Sequence, residues 1–474
     1  MKVSPHIIEK VFVEVNTGNM ATATAVRDNI AGLLEQRVFP KLAEMLDALN
    51  LGDRVIRFHT FDLSISIPGD DPLHGLEAAL ASRLSGEIAD VTGSLEREGE
   101  RDNNTVQIIP VEQNREDLFF HFLEKGYLPW HGSREQFEEL LQPLHWQDHL
   151  GKPEFLNRLT RLLKSNTSIR DRFIFQISDA HLKELLQHLN PIAGKEVARH
   201  IFRRFILDVS LGIETVQLLS ATRQLIETLK ERSGEQNDGQ DRQILVELTK
   251  IVEKSNHLSV QEKEEITAIL SASATTDNID ITVRSEKKGE EKVPETIEDE
   301  VEPFSEPGEE GIAVQKGGLI LLHPFLKQFF RTIELLDEKD RIKKSALHLA
   351  VQTLHYLATG NCDFFEGNLI FEKFLCGVSL AMPVKRESLL SEQIKEECGQ
   401  LLREVIRQWP ALKNSSPDGL RQLFIQRNGK LIREERSFKL LMERKAQDIL
   451  LDKLSWNISL AKIPWRKELL FVEW

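Results

Sequence analysis

Gly317-Gly318-Leu319-Ile320-Leu321-Leu322-His323-Pro324-Phe325 opens a stretch that runs to Phe471-Val472-Glu473-Trp474, and how this stretch reads decides the fold. Trp409, Trp456, Trp465 and Trp474, four of the six tryptophans, fall inside it. Large rigid apolar side chains gathered at a chain end imply that the end is docked. Trp409-Pro410-Ala411-Leu412 leads into Gln426-Arg427-Asn428-Gly429-Lys430-Leu431, where Asn-Gly between apolar runs predicts a β-hairpin turn. Apolar spacing predicts helices over 319–336, interrupted near Pro324, and over 343–358, 369–375 and 387–408. Residues 438–454 fit either strand or helix, and Trp456, Ile458 and Leu460 alternate with polar residues as a strand does. Residues 317–474 therefore read as a folded α+β module.

Upstream the composition changes. Residues 277–310 hold 13 Asp or Glu against 4 Lys or Arg, net −9, whereas 317–474 hold 25 basic against 20 acidic residues, net +5. Across 271–316 large apolar residues give way to Glu, Pro, Ser and Gly, a composition that cannot bury enough surface to offset its ordering entropy. This stretch reads as an acidic flexible linker. The chain as a whole, 474 residues with 41% hydrophobic and 29% charged, is globular in composition and too long for one ordinary core. Its net charge of −14 does not favour nucleic acid as a partner. Cys362, Cys376 and Cys398 are odd in number and lack paired spacing, which predicts free thiols in a reducing compartment. The opening Met1-Lys2-Val3-Ser4-Pro5-His6 lacks a signal-peptide pattern and no apolar run of about 18 residues occurs, so a cytoplasmic chain with no membrane segment is expected.

At the other end, residues 6–15 are rich in β-branched side chains and read as a strand. Val26, Ile30, Leu33, Leu34, Leu42, Met45, Leu46 and Leu49 recur at helical spacing, with a kink expected at Pro40. Phe61, Leu63, Ile65 and Ile67 then alternate with polar residues, completing a β-α-β unit within an N-terminal α+β domain of 1–112. An apolar patch covers Val106–Val111. Residues 113–270 read as a helical domain, with helices over 117–125, 134–142, 154–164, 180–189, 195–209, 213–231 and 243–254, and a last one from Ser259. Ser133-x-x-Gln136 and Ser259-x-x-Glu262 are capping boxes, and no fixed repeat period is present. The expected fold is mainly α with small α+β modules: the N-terminal β-α-β unit, the helical middle, the acidic linker of 271–316, and the C-terminal α+β module of 317–474 with its hairpin.

No catalytic constellation emerges. His145 and His149 have the i, i+4 spacing of a helical zinc site but lack its glutamate, so two surface histidines flanking a buried Trp146 are the simpler reading. His348, His355 and Cys362 sit in or just beyond a strongly apolar helix, where hydrogen-bonded core histidines are the rule. Gly377-Val378-Ser379-Leu380-Ala381 lacks the last Gly of a nucleophile elbow, and Gly194-Lys195 lacks the rest of a phosphate loop. The basic run Arg421, Arg427, Lys430, Arg433, Arg436, Lys439, Arg444 and Lys445 is broken by Glu434, Glu435 and Glu443, as a solvated face usually is. No cofactor and no metal are expected. Tryptophans most often serve a core. The functional reading is a set of anchors, Trp409, Trp456, Trp465, Phe471 and Trp474, inserted into a partner.

Several segments resemble a known family. They are Gly317–Leu326, His355-Tyr356-Leu357-Ala358-Thr359-Gly360, Leu375-Cys376-Gly377, Trp409–Asn414, Glu443-Arg444-Lys445-Ala446 and Leu454–Trp465, with His6–Lys10 and Gly126-Tyr127-Leu128-Pro129-Trp130 nearer the front. Together they are similar to the tape measure proteins of contractile injection systems, the phage-tail-like particles of bacteria. The resemblance implies a non-enzymatic assembly factor that sets or initiates the inner tube, with tube, baseplate or other structural subunits as partners. It would be found in the cytoplasm or built into the particle. An adaptor or chaperone that is not retained in the particle is the alternative, and a metal-dependent hydrolase using His145 and His149 is a third reading.

Overall fold

In a computed structural model the described residues are 6–8, 11–17, 19–48, 53–58, 64–66, 78–80, 82–86, 106–189, 200–211, 213, 218–219, 222–223, 225, 245–246, 248–253, 255, 258–274, 311–412 and 414–474. They form a mainly helical structure with two small sheets. Two compact units contain Met1–Leu118 with Trp130–Phe137, and Phe119–Pro129 with Glu138–Trp474.

In the first unit, the Asn19 side chain accepts from the Ala21 N–H to open a helix over Met20–Leu33. A π-turn over Leu34–Val38 follows, and then a second helix over Phe39–Asp47. The disruption expected at Pro40 thus lies in the turn before it. Proline has no N–H and crowds the carbonyl four residues back, and widening the preceding turn relieves both. Strand β1 (Arg54–Phe58) pairs antiparallel with β2 (Val106–Pro110), joining Val55 to Ile109 and Phe58 to Val106. Sequence periodicity predicted neither β1 nor this pairing. Residues 6–8, 11–15 and 64–66, parts of the two expected strands, have no regular secondary structure, and the rest of those strands lies outside the described residues.

Both capping boxes form. Ser133 and Gln136 exchange main-chain and side-chain hydrogen bonds at 3.0 and 3.3 Å, and Ser259 and Glu262 do so at 2.6 and 3.3 Å. A helix over Val111–Lys125, longer than its periodicity suggested and belonging to the second unit from Phe119 onward, ends at Gly126 with φ +81°. Helices over Pro143–Leu150 and Pro153–Ser165 each begin with proline, where the missing N–H costs nothing. They pack with Thr167–Gln176 around the buried Phe119, Phe120, Trp146, Phe155 and Phe173. Asp179–Leu189 and His200–Leu211 add further helices. Of the expected 213–231 helix, Ile213 is not helical while residues 218–219, 222–223 and 225 are; the described residues 245–246 and 248–253 of the expected 243–254 helix are helical, and the other residues of both lie outside the described set.

Structure enters the stretch read as a linker from both ends. The Val260–Ala274 helix runs into its start, and β3 (Ile312–Val314) lies near its end; residues 275–310 are outside the described set. Strands β3, β4 (Gly429–Arg433), β5 (Ser437–Met442), β7 (Leu469–Glu473) and β6 (Leu460–Ala461) form one sheet in that order, with β5 and β7 parallel and the other pairs antiparallel. The expected hairpin exists, but Asn428-Gly429 is not its turn. Gly429 already belongs to β4, and the reversal occurs at Glu434–Arg436, closed by a Glu434 N–H to Ser437 carbonyl bond of 2.9 Å. Glycine at 429 answers a packing need, since a Cβ there would lie 2.8 Å from the Leu441 carbonyl oxygen.

Helices over His323–Thr332, Leu347–Thr359, Ile370–Leu375 and Glu392–Gln408 cover this sheet with one apolar core, all of whose residues come from Val314 onward. Pro324 lies in the first turn of its helix instead of interrupting one, and a 3-10 turn over Gly317–Leu322 precedes it. Residues 387–391 are not helical, because Ser391 caps the last of these helices by accepting from the Ile394 N–H. The ambiguous 438–454 stretch divides into β5 and a 3-10 helix over Ala446–Lys453.

Candidate functional site

The aromatic anchors expected from the sequence divide by burial. Trp409 is fully buried, donates from Nε1 to the Leu450 carbonyl at 3.0 Å, and packs on Phe424 and Trp456. Trp456 and Trp465 are half-buried, and their indole N–H groups bond the carbonyls of Leu321 (3.1 Å) and Leu375 (2.7 Å). Trp465 also stacks on Phe330 with ring centroids 5.2 Å apart. These bonds tie the tail to the front of its own module, as the docked-end argument required. Phe471 differs: it is 43% exposed, and the sheet register places it between Leu460 of β6 and Lys439 of β5. Trp474 is half-buried with the Arg427 guanidinium 5.8 Å over its ring. Phe471, with Leu460 beside it, is the part of the aromatic tail that offers apolar surface.

A second constellation, of which the sequence singled out His355 alone, is made of buried charges. Arg172, Glu366, Glu372, Lys373, Lys316 and His355 are all buried. Arg172 Nε donates to Glu366 Oε1 at 3.0 Å, and its other nitrogens donate to the carbonyls of Leu123 and Ala381. Lys373 Nζ reaches the same Glu366 oxygen at 2.8 Å and the Leu380 carbonyl at 2.9 Å. Lys316 pairs with Glu372 Oε1 at 3.1 Å, and His355 Nδ1 lies 3.4 Å from that oxygen. Burial drives the Lys373 ammonium down to about 8; Glu366 opposes the shift and Arg172 adds to it. Burial pushes the Glu372 carboxyl up, but Lys316 and His355 more than offset this and leave it below the usual range. Glu366 Oε2 and Glu372 Oε2 are buried with no hydrogen-bond partner among the described residues. A signal was present in the sequence, because Glu372-Lys373 interrupts the otherwise apolar Leu369–Cys376.

The chemistry-bearing residues singled out from sequence do not converge. His145 Nδ1 lies 2.8 Å from the Glu139 carbonyl, while His149 is buried against Phe155 instead of lying at the surface. His355 Nε2 lies 3.2 Å from the Asp363 carbonyl, and His348 accepts from the Lys385 N–H at 3.4 Å. Ser379 Oγ accepts from the Ala381 N–H, and Gly194-Lys195 lies outside the described residues. Among the described residues no group of three or more His, Cys, Asp or Glu is placed to hold a metal, and no helix is long and apolar enough to cross a membrane. The basic run needs a correction. Arg421 and Arg427 are buried, the first donating to the Leu357 carbonyl and Asp418, the second to the Leu423 and Glu443 carbonyls and Asp448. They hold loops together because a guanidinium satisfies several carbonyls at once.

No curated protein and no solved structure matches the chain. The sequence profile of one family, described as contractile injection system tape measure protein, matches residues 5–474. That span takes in the N-terminal sheet, the helices, the charge cluster and the aromatic tail alike. This chain belongs to the contractile injection system tape measure protein family, a structural family of phage-tail-like particles tied to tube length.

Proposed function

We propose that this protein is a non-enzymatic assembly factor that sets or initiates the inner tube of its particle from the cytoplasm. The observation that carries the proposal is the family match over essentially the whole chain. In this reading the tail built around Phe471 and Trp474 contacts a tube or baseplate subunit, with Trp409, Trp456 and Trp465 holding it in shape. The parts are an N-terminal domain of 1–112, helices of 113–270, an acidic connection over 271–316 and the C-terminal module of 317–474.

Length decides between ruler and initiator. At about 1.5 Å per residue even a single helix of the entire chain would reach only about 700 Å. This chain is folded into short helices, the longest described having 17 residues. The acidic connection alone spans at most about 150 to 165 Å when extended. Doubling residues 275–310, or deleting them, and measuring particle length by electron microscopy separates the two. A ruler shifts the length distribution with the insert, and an initiator leaves length fixed while particle number changes. If neither changes and the protein is missing from purified particles, the proposal fails in favour of an adaptor or chaperone that is not retained.

A further inference from the structure

Two apolar cores lie within the second unit. One is the aromatic cluster of Phe119, Phe120, Trp146, Phe155 and Phe173; the other contains only residues from Val314 onward. Much of what joins them is polar. Arg172 spans from the Leu123 carbonyl on the helical side to Glu366 and the Ala381 carbonyl on the other, and Gln176 Nε2 donates to the Val384 carbonyl at 2.7 Å. Gly126 sits in this seam, where a Cβ would lie 2.6 Å from the Leu380 oxygen and 2.7 Å from the Arg172 guanidinium. The Phe122–Phe365 stack, with centroids 5.0 Å apart, adds an apolar contact.

The charge balance of the seam is incomplete. Three cations, Arg172, Lys373 and Lys316, face two carboxylates, and each carboxylate keeps one buried oxygen without a hydrogen-bond partner among the described residues. Buried ion pairs recover little more than their desolvation cost, and often less than apolar residues of the same volume would give. Such a junction fixes one geometry while resisting separation weakly, because water re-solvates every charge that opening exposes. An apolar seam would have no such compensation.

We infer that the Arg172–Glu366–Lys373 cluster is a releasable latch, by which the helical segment comes away from the C-terminal core as a folded piece. The use of that release rests on the tube-assembly reading above: a chain of compact pieces gains reach by separating them without unfolding either. Opening breaks the contacts of Arg172 and Gln176 across the seam and leaves Lys373–Glu366 and Lys316–Glu372 inside the C-terminal core.

Native-state hydrogen exchange on the full chain tests the latch. Amides of Val111–Lys125 and Thr167–Gln176 are expected to exchange through a shared opening at least about tenfold faster than those of Leu347–Thr359 and Glu392–Gln408. Arg172→Lys cannot span the same acceptors and should speed the first set about tenfold further while leaving the second unchanged. The triple replacement Arg172→Met, Glu366→Leu, Lys373→Met should slow the first set. Equal exchange of both sets in the parent protein, or equal acceleration by Arg172→Lys, overturns the latch. If the triple variant does not fold, Arg172→Lys alone decides. Particle length and number made with the folded triple variant report separately on the tube reading: parent-like particles beside slowed exchange keep the latch and remove its link to assembly.

Discussion

Gly318→Ala is expected to prevent the C-terminal core from forming. A Cβ on Gly318 would sit 1.8 Å from the Phe424 carbonyl oxygen and 2.7 Å from the Ile425 Cα, both backbone atoms that no rotamer change can move. Gly318 lies in the buried 3-10 turn over Gly317–Leu322, and the opposing backbone is the π-turn over Arg421–Ile425. Relief requires one of these turns to shift, and each carries several buried side chains of the same core, among them Leu319, Leu322, Phe424 and Ile425. Interiors are close-packed, so such a shift propagates, and the cost belongs above about 4 kcal/mol, at the far end of single-residue effects. Gly32 is the internal control. It lies in the Met20–Leu33 helix, and a Cβ added there would meet nothing within 4 Å, so Gly32→Ala should be neutral or stabilise by up to about 1 kcal/mol. Limited proteolysis of the full chain reads both variants, and a Gly318→Ala protein as protected over 317–474 as its parent would refute the packing argument.

The Gly317-Gly318 pair stands out in the sequence without its reason being legible there, and the contrast runs through the structure. Features set by neighbours in the chain could be read: the capping boxes at Ser133 and Ser259, and the left-handed Gly360 closing Leu347–Thr359. Features set by distant partners could not. Asn428-Gly429 has the composition of a turn, yet Gly429 is there for the Leu441 backbone across the ladder. Arg427 looks like one member of a solvated basic face until Leu423, Glu443 and Asp448 gather round it. Arg172 and Glu366 are 194 positions apart, and no local pattern links them. The aromatic anchors were legible as important but not as divided, because burial of Trp409 and exposure of Phe471 follow from which neighbours the tertiary fold brings to each.

The Lys373 side chain gives the second large effect, through its neighbour and through pH. Glu366→Leu leaves Arg172 and Lys373 buried without their shared carboxylate, and breaking a buried pair in this way costs about 3–5 kcal/mol. Lys373→Met should cost far less, since Arg172 still satisfies Glu366 and the stem is replaced by apolar volume. The pH dependence follows from the depressed ammonium. Lys373 titrates at about 8 in the folded chain against an ordinary 10.5, so between those values the unfolded state binds the extra proton. Stability from this group therefore rises as pH climbs from 8 towards 10.5, by about 3 kcal/mol in all, and its burden is full and constant below 8. Cys398, pushed up to about 12, and Cys376, also raised by burial, act in the opposite sense, because above pH 9 the unfolded thiols release protons that the folded ones keep. The informative quantity is the urea-unfolding free energy of the parent minus that of Lys373→Met, in which the thiols cancel. A difference that climbs across pH 8 to 10.5 places an ammonium at the centre of the seam, and a flat one means that Lys373 titrates as it would in water.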